Sequence, residues 1–273
     1  MRIWKYIFLS LFLILCLIWL GIFSLPDKRL HLIACDVGQG DATLITYGNL
    51  DIVIDGGPGS KVLGCLGKYI PFWDREIELV ILTHPDSDHY TGLIEVFKRY
   101  KVNKFLTNGL NSSSQSYKVL EREVGGRGIR EVIAKKGTGV RVGKMYLDIV
   151  SPEEARKEAE SNDNSLVINL KYANFEAILT GDAPKEILNK ILVKEPLDYI
   201  KLSHHGSKTG TDAFTLDNFM PKLAIISVGR NNYGHPNEEV LNLLKERNIK
   251  TLRTDEVGDV EVESDGKDFW IMK

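Results

Sequence analysis

The stretch Thr83-His-Pro-Asp-Ser-Asp-His-Tyr-Thr-Gly92 places four metal-competent side chains, His84, Asp86, Asp88 and His89, within six residues. It leaves a short apolar run, Glu78–Leu82, that reads as a strand. It then enters Gly92–Tyr100, where Leu93, Val96 and Phe97 recur at helical spacing. A tight turn between strand and helix can aim alternate side chains at two neighbouring cations, with oxygen and nitrogen donors supplied by Asp and His. A surface turn with capping aspartates needs only one or two such groups.

Two more strand exits carry the same kinds of side chain. Ile178-Leu-Thr-Gly-Asp182 sets a carboxylate after an apolar strand, and Ile200-Lys-Leu-Ser-His-His-Gly206 does so with two histidines. Taken alone, Asp182 reads equally as a helix N-cap before Ala183-Pro184, and His204-His205 as a satisfied core pair. Together with the first cluster they read as one metal centre assembled from three places. The cysteines, at 16, 35 and 65, have no zinc-ligand spacing and cannot build a disulfide framework. They are expected to be inert, leaving His, Asp and Glu to hold any metal.

Around these motifs, short β-branched runs alternate with glycine turns: His31–Cys35, Ala42–Tyr47, Asp51–Ile54, Lys104–Thr107, Met145–Val150, Ser165–Lys171, Glu176–Leu179, Asp198–Leu202 and Leu223–Val228. Helices are expected at Gly64–Ile70, Pro184–Leu192 and Pro236–Glu246, and from a capping-box-like start at Ser151-Pro-Glu-Glu154. Interleaving of this kind predicts an α/β chain with two sheets packed face to face and helices outside, one domain over residues 28–273.

Residues 1–27 differ in character. Ile7 to Phe23 is apolar except for Ser10, with Arg2 and Lys5 before it and Trp4, Tyr6 and Trp19 suited to interfaces. The segment is expected to be an uncleaved single-pass anchor, because Gly21-Ile-Phe-Ser24 lacks the small-residue pair of a signal-peptide cleavage site. The body is then expected outside the cytoplasm, although Lys28 and Arg29 just past the span run against the positive-inside tendency. The whole chain has a formal net charge of −2, which excludes a uniformly basic nucleic-acid binder, but 101–144 holds ten Lys and Arg against three Glu. That stretch, Gly/Ser-rich and loop-like, either meets phosphates or is a solvated surface.

In detail the motifs resemble the metallo-β-lactamase superfamily, whose leading signature His-x-His-x-Asp-His here reads His84-x-Asp86-x-Asp88-His89. More narrowly, Cys35-Asp-Val-Gly-Gln-Gly-Asp41, Ile54-Asp-Gly-Gly57, Asn164-Ser-Leu-Val167, Leu179-Thr-Gly-Asp182, Ser203-His-His-Gly-Ser207 and Tyr233-Gly-His-Pro236 resemble the ComEC-type competence family. The resemblance implies a four-layer αββα sandwich. It also implies two divalent metal ions, Mn²⁺ or Zn²⁺. His84 and Asp86 would serve one ion, Asp88, His89 and His205 the other, and Asp182 would bridge. His204 would either support the ligands from behind or face the substrate. Asp88 would orient the attacking water, and His204, Lys208 and His235 are the candidates for assisting the leaving oxygen. Asp36, Asp41 and Asp55 are read as shaping loops beneath the metals rather than as ligands. The superfamily's third histidine would precede the Ser165–Lys171 strand, where this chain offers only Ser161, Asn162, Asp163 and Asn164. A site richer in oxygen leans toward manganese.

The function this implies is that of a membrane-anchored phosphodiesterase, a nuclease cutting extracytoplasmic DNA, single-stranded by preference, beside a separate uptake-channel protein. Two other readings stay open: a cell-surface phosphoester hydrolase of the same fold, and a non-catalytic module of an uptake or envelope complex. β-Lactam hydrolysis fits less well, since the histidine ligands of that pattern are incomplete.

Overall fold

The computed structural model describes residues 2–23 and 28–272, with only the backbone of residues 2 and 20–23. Helix α1 (Arg2–Phe23) comes first. Then follow β1 (Leu30–Ala34), β2 (Thr43–Tyr47), β3 (Leu50–Ile54), α2 (Val62–Tyr69), β4 (Glu76–Ile77) and β5 (Leu79–Ile81). After α3 (Ser87–Arg99) come β6 (Lys101–Val102), β7 (Lys104–Thr107), α4 (Gln115–Gly126) and β8 (Arg130–Ile133). The second half holds β9 (Gly139–Val142), β10 (Met145–Ser151), β11 (Val167–Tyr172), β12 (Phe175–Leu179), α5 (Lys185–Leu188) and β13 (Tyr199–Lys201). It closes with α6 (Ala213–Phe219), β14 (Leu223–Ile226), α7 (Glu238–Glu246), β15 (Lys250–Arg253), α8 (Thr254–Val257), β16 (Val260–Ser264) and β17 (Phe269–Met272).

Two mixed sheets form, ordered β17-β16-β1-β2-β3-β5-β7-β8 and β15-β14-β13-β12-β11-β10-β9. The period-two alternation of the strands decides the layers. Along β1, Leu30, Leu32 and Ala34 join Leu147, Leu170 and Ala177 in a core between the sheets. Ile33 points the other way, toward Leu66 of α2 and Leu93 and Phe97 of α3. A third cluster packs Ile178, Ile200 and Ile226 under Leu188, Leu216, Phe219, Val240 and Leu244 of α5, α6 and α7. The result is the expected four-layer αββα arrangement.

Four expectations need correction. Helix α3 starts at Ser87 instead of Gly92, because extended Asp86 ends the turn and its carbonyl takes the amides of His89 and Tyr90. No helix forms at Ser151-Pro-Glu-Glu154: Ser151 ends β10, and the chain beyond it turns in irregular steps. The basic, Gly/Ser-rich stretch contains α4, N-capped by Ser114 and burying Tyr117, Leu120 and Val124 at spacings of three and four. Finally, Cys35 and Cys65 form a disulfide, their Cα atoms 5.8 Å apart, because the end of β1 packs on α2. Cys16 alone is free among the described residues.

Among the described residues no helix is long and apolar enough to cross a membrane, so the span expected at 7–23 is not borne out at this level. Its continuation through the linker at 24–27, including Ser24 of the junction, lies outside the described residues.

Candidate metal centre

The site forms where several strands end on one edge of the sandwich. Asp55 follows β3, His84 follows β5, Asp182 follows β12, and His204 and His205 follow β13, while the 35–42 loop arrives from β1. Close backbone contacts hold these exits together. A Cβ on Gly92 would lie 1.9 Å from the Gly56 carbonyl oxygen, so only glycine lets the first turns of α3 rest on the loop after β3. His204 and His205 both adopt left-handed conformations, with φ of 50° and 55°. Backbone strain of this sort costs about 1–3 kcal/mol per residue and is typical of functional sites.

Three histidines are fixed by the nitrogen that does not face the centre. His89 Nδ1 lies 2.9 Å from Asp55 Oδ2, and His205 Nδ1 lies 2.9 Å from the Ser227 carbonyl. His84 Nδ1 is 3.0 Å from Thr83 Oγ1, whose own proton goes to Asp55 Oδ2 at 2.7 Å. In the neutral rings each Nδ1 is therefore the donor, which leaves the Nε2 lone pair aimed inward. Those three Nε2 atoms are buried without a hydrogen-bond partner.

Carboxylate oxygens face them at a consistent spacing. His84 Nε2 to Asp86 Oδ2 is 3.5 Å, and His89 Nε2 to Asp182 Oδ2 is 3.3 Å. From His205 Nε2, Asp88 Oδ2 lies at 3.4 Å and Asp182 Oδ2 at 3.5 Å. These distances exceed the ~2.7–2.9 Å of a charge-assisted hydrogen bond. Two donors each ~2.1 Å from one ion at a tetrahedral angle stand about 3.4 Å apart. The residues present thus fit divalent metal ions. Donor atoms of His84, His89 and Asp182 converge within 4.8 Å, as do those of Asp88, His89 and His205.

Two residues outside the expected ligand set brace the centre. Lys201, the last residue of β13, is 3% exposed; it pairs with Asp41, donates to the Gly181 carbonyl at 3.2 Å and stands 3.8 Å from Asp182 Oδ1. The ammonium thus faces one oxygen of Asp182 and leaves the other, Oδ2, to the histidines. Burial would raise Asp41 and Asp182, but Lys201 and His205 hold Asp41, and His205 and His89 hold Asp182, well below the usual carboxylate range. Sequence spacing gives no hint of the Asp41–Lys201 pair. The sole signal is a lysine inside an otherwise apolar strand that runs into the two histidines.

At the mouth, His204 Nε2 lies 3.9 Å from Asp182 Oδ2, and the His204 and His235 rings are 5.2 Å apart. Burial, the largest influence on both, pulls their pKa values down. Lys208 is exposed and pairs with no site carboxylate among the described residues. Asp36 stays in its loop, where its carboxylate accepts from the Gly38 amide. Much of the basic stretch lies elsewhere. Lys104 and Arg130 open β7 and β8, whose far ends lead toward the metal edge, and Lys101 and Arg127 line a 370 Å³ cavity with Arg75, Lys98 and Arg99 at the C-terminal end of α3. The metal residues sit at the other end of that 13-residue helix, about 20 Å away.

The family model "Metallo-beta-lactamase superfamily" matches residues 35–110, which include the His84–His89 run. The chain is 33% identical over 257 residues to ComE operon protein 3 of Bacillus subtilis, covering 83% of this chain and 32% of that protein. It is 30% identical over 218 residues to Recombination protein 2 of Haemophilus influenzae, covering 77% of this chain and 26% of the other. The chain therefore spans about a third or less of the length of these homologues. Among solved structures, the metallo-β-lactamase fold protein YhfI from Bacillus subtilis superposes with a TM-score of 0.57 at 11% identity, over 87% of this chain and all of that one.

Proposed function

Taking the chain as a metal-dependent hydrolase of the metallo-β-lactamase fold, we propose that it is a membrane-anchored phosphodiesterase that degrades DNA outside the cytoplasm during competence-type uptake. The observation that carries the reading is the set of three inward Nε2 lone pairs, each 3.3–3.5 Å from a carboxylate oxygen. His84, Asp86 and Asp182 would hold one divalent ion, and Asp88, His89, His205 and Asp182 the second. Ions so held supply Lewis acidity toward phosphoryl oxygens and lower the pKa of water toward neutrality.

The protein's own groups do the rest. Asp55 and Thr83 keep His84 and His89 in the metal-facing tautomer. Lys201 balances the buried charge of Asp41 and Asp182. His204 and His235, side by side at the open edge, offer N–H groups to a phosphoryl or leaving oxygen. Lys208, exposed three residues past His205, is a further candidate for the leaving oxygen, and the basic residues at the far end of α3 would meet a strand that runs about 20 Å beyond the metals.

DNA as the substrate and a channel protein as partner rest on the likeness to ComE operon protein 3 and Recombination protein 2. Placement outside the cytoplasm draws on the Cys35–Cys65 disulfide, since such bonds persist in oxidising compartments. The anchor reading draws on α1, whose Phe8, Leu11, Phe12 and Leu15 are exposed without a core to cover them. β1 runs from the linker toward the metal edge, so an anchor there would tether the body, residues 28–273, by the end away from the site. The test is Mn²⁺- or Zn²⁺-dependent cleavage of single-stranded DNA, double-stranded DNA and a simple phosphodiester. Asp86→Ala and Asp182→Ala are each expected to lower cleavage by at least roughly a hundredfold, the scale of losing a main electrostatic stabiliser. Full activity in both variants overturns the site. Activity on the simple ester but on neither DNA favours a different surface phosphoester.

A further inference from the structure

The two metal positions are unequally furnished. On the dinuclear reading Asp88, His89, His205 and Asp182 would surround one, while the other would have His84 and Asp86 with only a share in Asp182. We propose that Asn162 supplies the missing protein ligand of the His84 position through its amide oxygen, making that position oxygen-rich. The proposal rests on the dinuclear reading above.

The 161–165 stretch is pinned against the metal loop. The Leu166 amide donates to the Thr83 carbonyl at 3.0 Å, and Asn108 Nδ2 donates to the Asn164 carbonyl at 2.9 Å. Its polar side chains then divide by role. Asn164 is spent on backbone: Oδ1 accepts from the Arg156 amide at 2.7 Å, and Nδ2 donates to the carbonyls of Arg156 and Glu160 at 3.0 Å each. Asp163 lines a separate cleft with Arg156 and Lys190. Ser161 Oγ and Ser165 Oγ are also buried without a partner, but a hydroxyl can donate as well as accept, whereas an amide oxygen only accepts.

Asn162 remains. Its Nδ2 is 3.5 Å from His204 Nδ1, and the other nitrogen of that ring lies 3.9 Å from Asp182 Oδ2. Asn162 thus lies beside the ring that borders Asp182, on a segment tied to the residue just before His84. Its Oδ1 is buried with no hydrogen-bond partner. A buried amide oxygen without a donor is costly unless something positive meets it. A cation held by His84, Asp86 and Asp182 would do so. Amide oxygen is a hard, neutral donor, so this position should favour Mn²⁺, while the two-histidine position suits Zn²⁺ as well.

The experiment uses the full chain in detergent, stripped of metal and titrated with Mn²⁺, with bound ions counted by elemental analysis and the pair detected by its spin-coupled EPR signal. Wild type is expected to bind two ions. Asn162→Ala is expected to keep one and lose the coupled signal, the second ion weakening by more than the roughly 10–100-fold that follows loss of an outer, supporting group. Asn162→Asp should restore both ions. Asn162→His should restore both and shift competition toward Zn²⁺ by at least roughly tenfold, a change that a supporting role would not produce. Thermal melting of the metal-free variants separates ligand loss from misfolding, and Asp and His at 162 keep the test decisive if the alanine variant does not fold. Two Mn²⁺ bound to Asn162→Ala with wild-type affinity overturns the assignment while leaving the dinuclear reading intact. Wild type binding fewer than two ions overturns both.

Discussion

Asp55 shows how much of a candidate metal site can rest on a residue outside the proposed ligand set. Its Oδ1 accepts the Thr83 amide at 2.8 Å, and its Oδ2 takes both the Thr83 hydroxyl and His89 Nδ1. One carboxylate thus sets the tautomer of His89 directly and that of His84 through Thr83. Asp55→Ala is expected to weaken metal binding by roughly 10–100-fold while the fold persists; a metal titration showing no change would refute the role. His205 supports a second prediction. Burial would lower its pKa, but Asp182 and Asp41 outweigh burial and raise it to about 9. In the metal-free protein this raised value stabilises the fold fully below pH 6.5, and the gain is lost as pH rises through about 9. Metal must displace that proton, so binding at pH 7 should release protons and tighten as pH climbs toward 9. Calorimetric titration in two buffers of different ionisation enthalpy reads this, and identical apparent enthalpies would remove His205 from the ligand set.

Elements, more than residues, determine whether these groups converge. The first turns of α3 and the loop after β3 meet with no room between them, since the Gly92 amide donates to the Gly57 carbonyl at 2.8 Å. Gly92→Ala, forced to within 1.9 Å of the Gly56 oxygen, should push α3 outward and carry Asp88 and His89 with it. Metal binding should fall sharply, whereas Gly64→Ala on α2, with open space around it, should be silent. Strand β3 holds a different tension. Burial, reinforced by Asp74 and Glu78, raises Asp51 to about 7. A carboxyl raised in the folded state makes stability fall as pH rises from about 4 through 7. Asp51→Asn should therefore raise the Tm by a few degrees at pH 8 and by little near pH 4, an effect that melting curves at the two values would expose. At this scale the sequence was legible where pattern was local. The strands that deliver His84, Asp182 and His205 follow from apolar runs ending in polar turns. Helix α4 is hidden because Gly125, Gly126 and four serines at or near its start outweigh its buried Tyr117, Leu120 and Val124 in a compositional reading.

For the molecule as a whole, what could not be read was long-range pairing. Lys201 meets Asp41 across 160 residues, and the disulfide joins Cys35 to Cys65 with a separation of 30. Neither leaves a local trace, because only the closure of two sheets and a helix brings the partners together. The disulfide has a consequence for the site. Cys35 closes the base of the 35–42 loop, its amide donating to the Ala42 carbonyl at 2.9 Å, and that loop carries Asp41 to Lys201 and His205. Tying Cys35 to α2 anchors the loop at its root. On the loop-entropy estimate, closing roughly 30 residues is worth about 3–4 kcal/mol. In a domain of this size that corresponds to a Tm loss on the order of 10 °C on reduction. Thiol titration of the denatured, non-reduced protein should find one free thiol, Cys16, instead of three. Cys65→Ser should reproduce the Tm of the reduced wild type and show no further loss with reductant, because both states lack the same bond. Three titratable thiols in protein isolated from an oxidising compartment, or a Tm indifferent to reductant, would break the link between this bond and placement outside the cytoplasm.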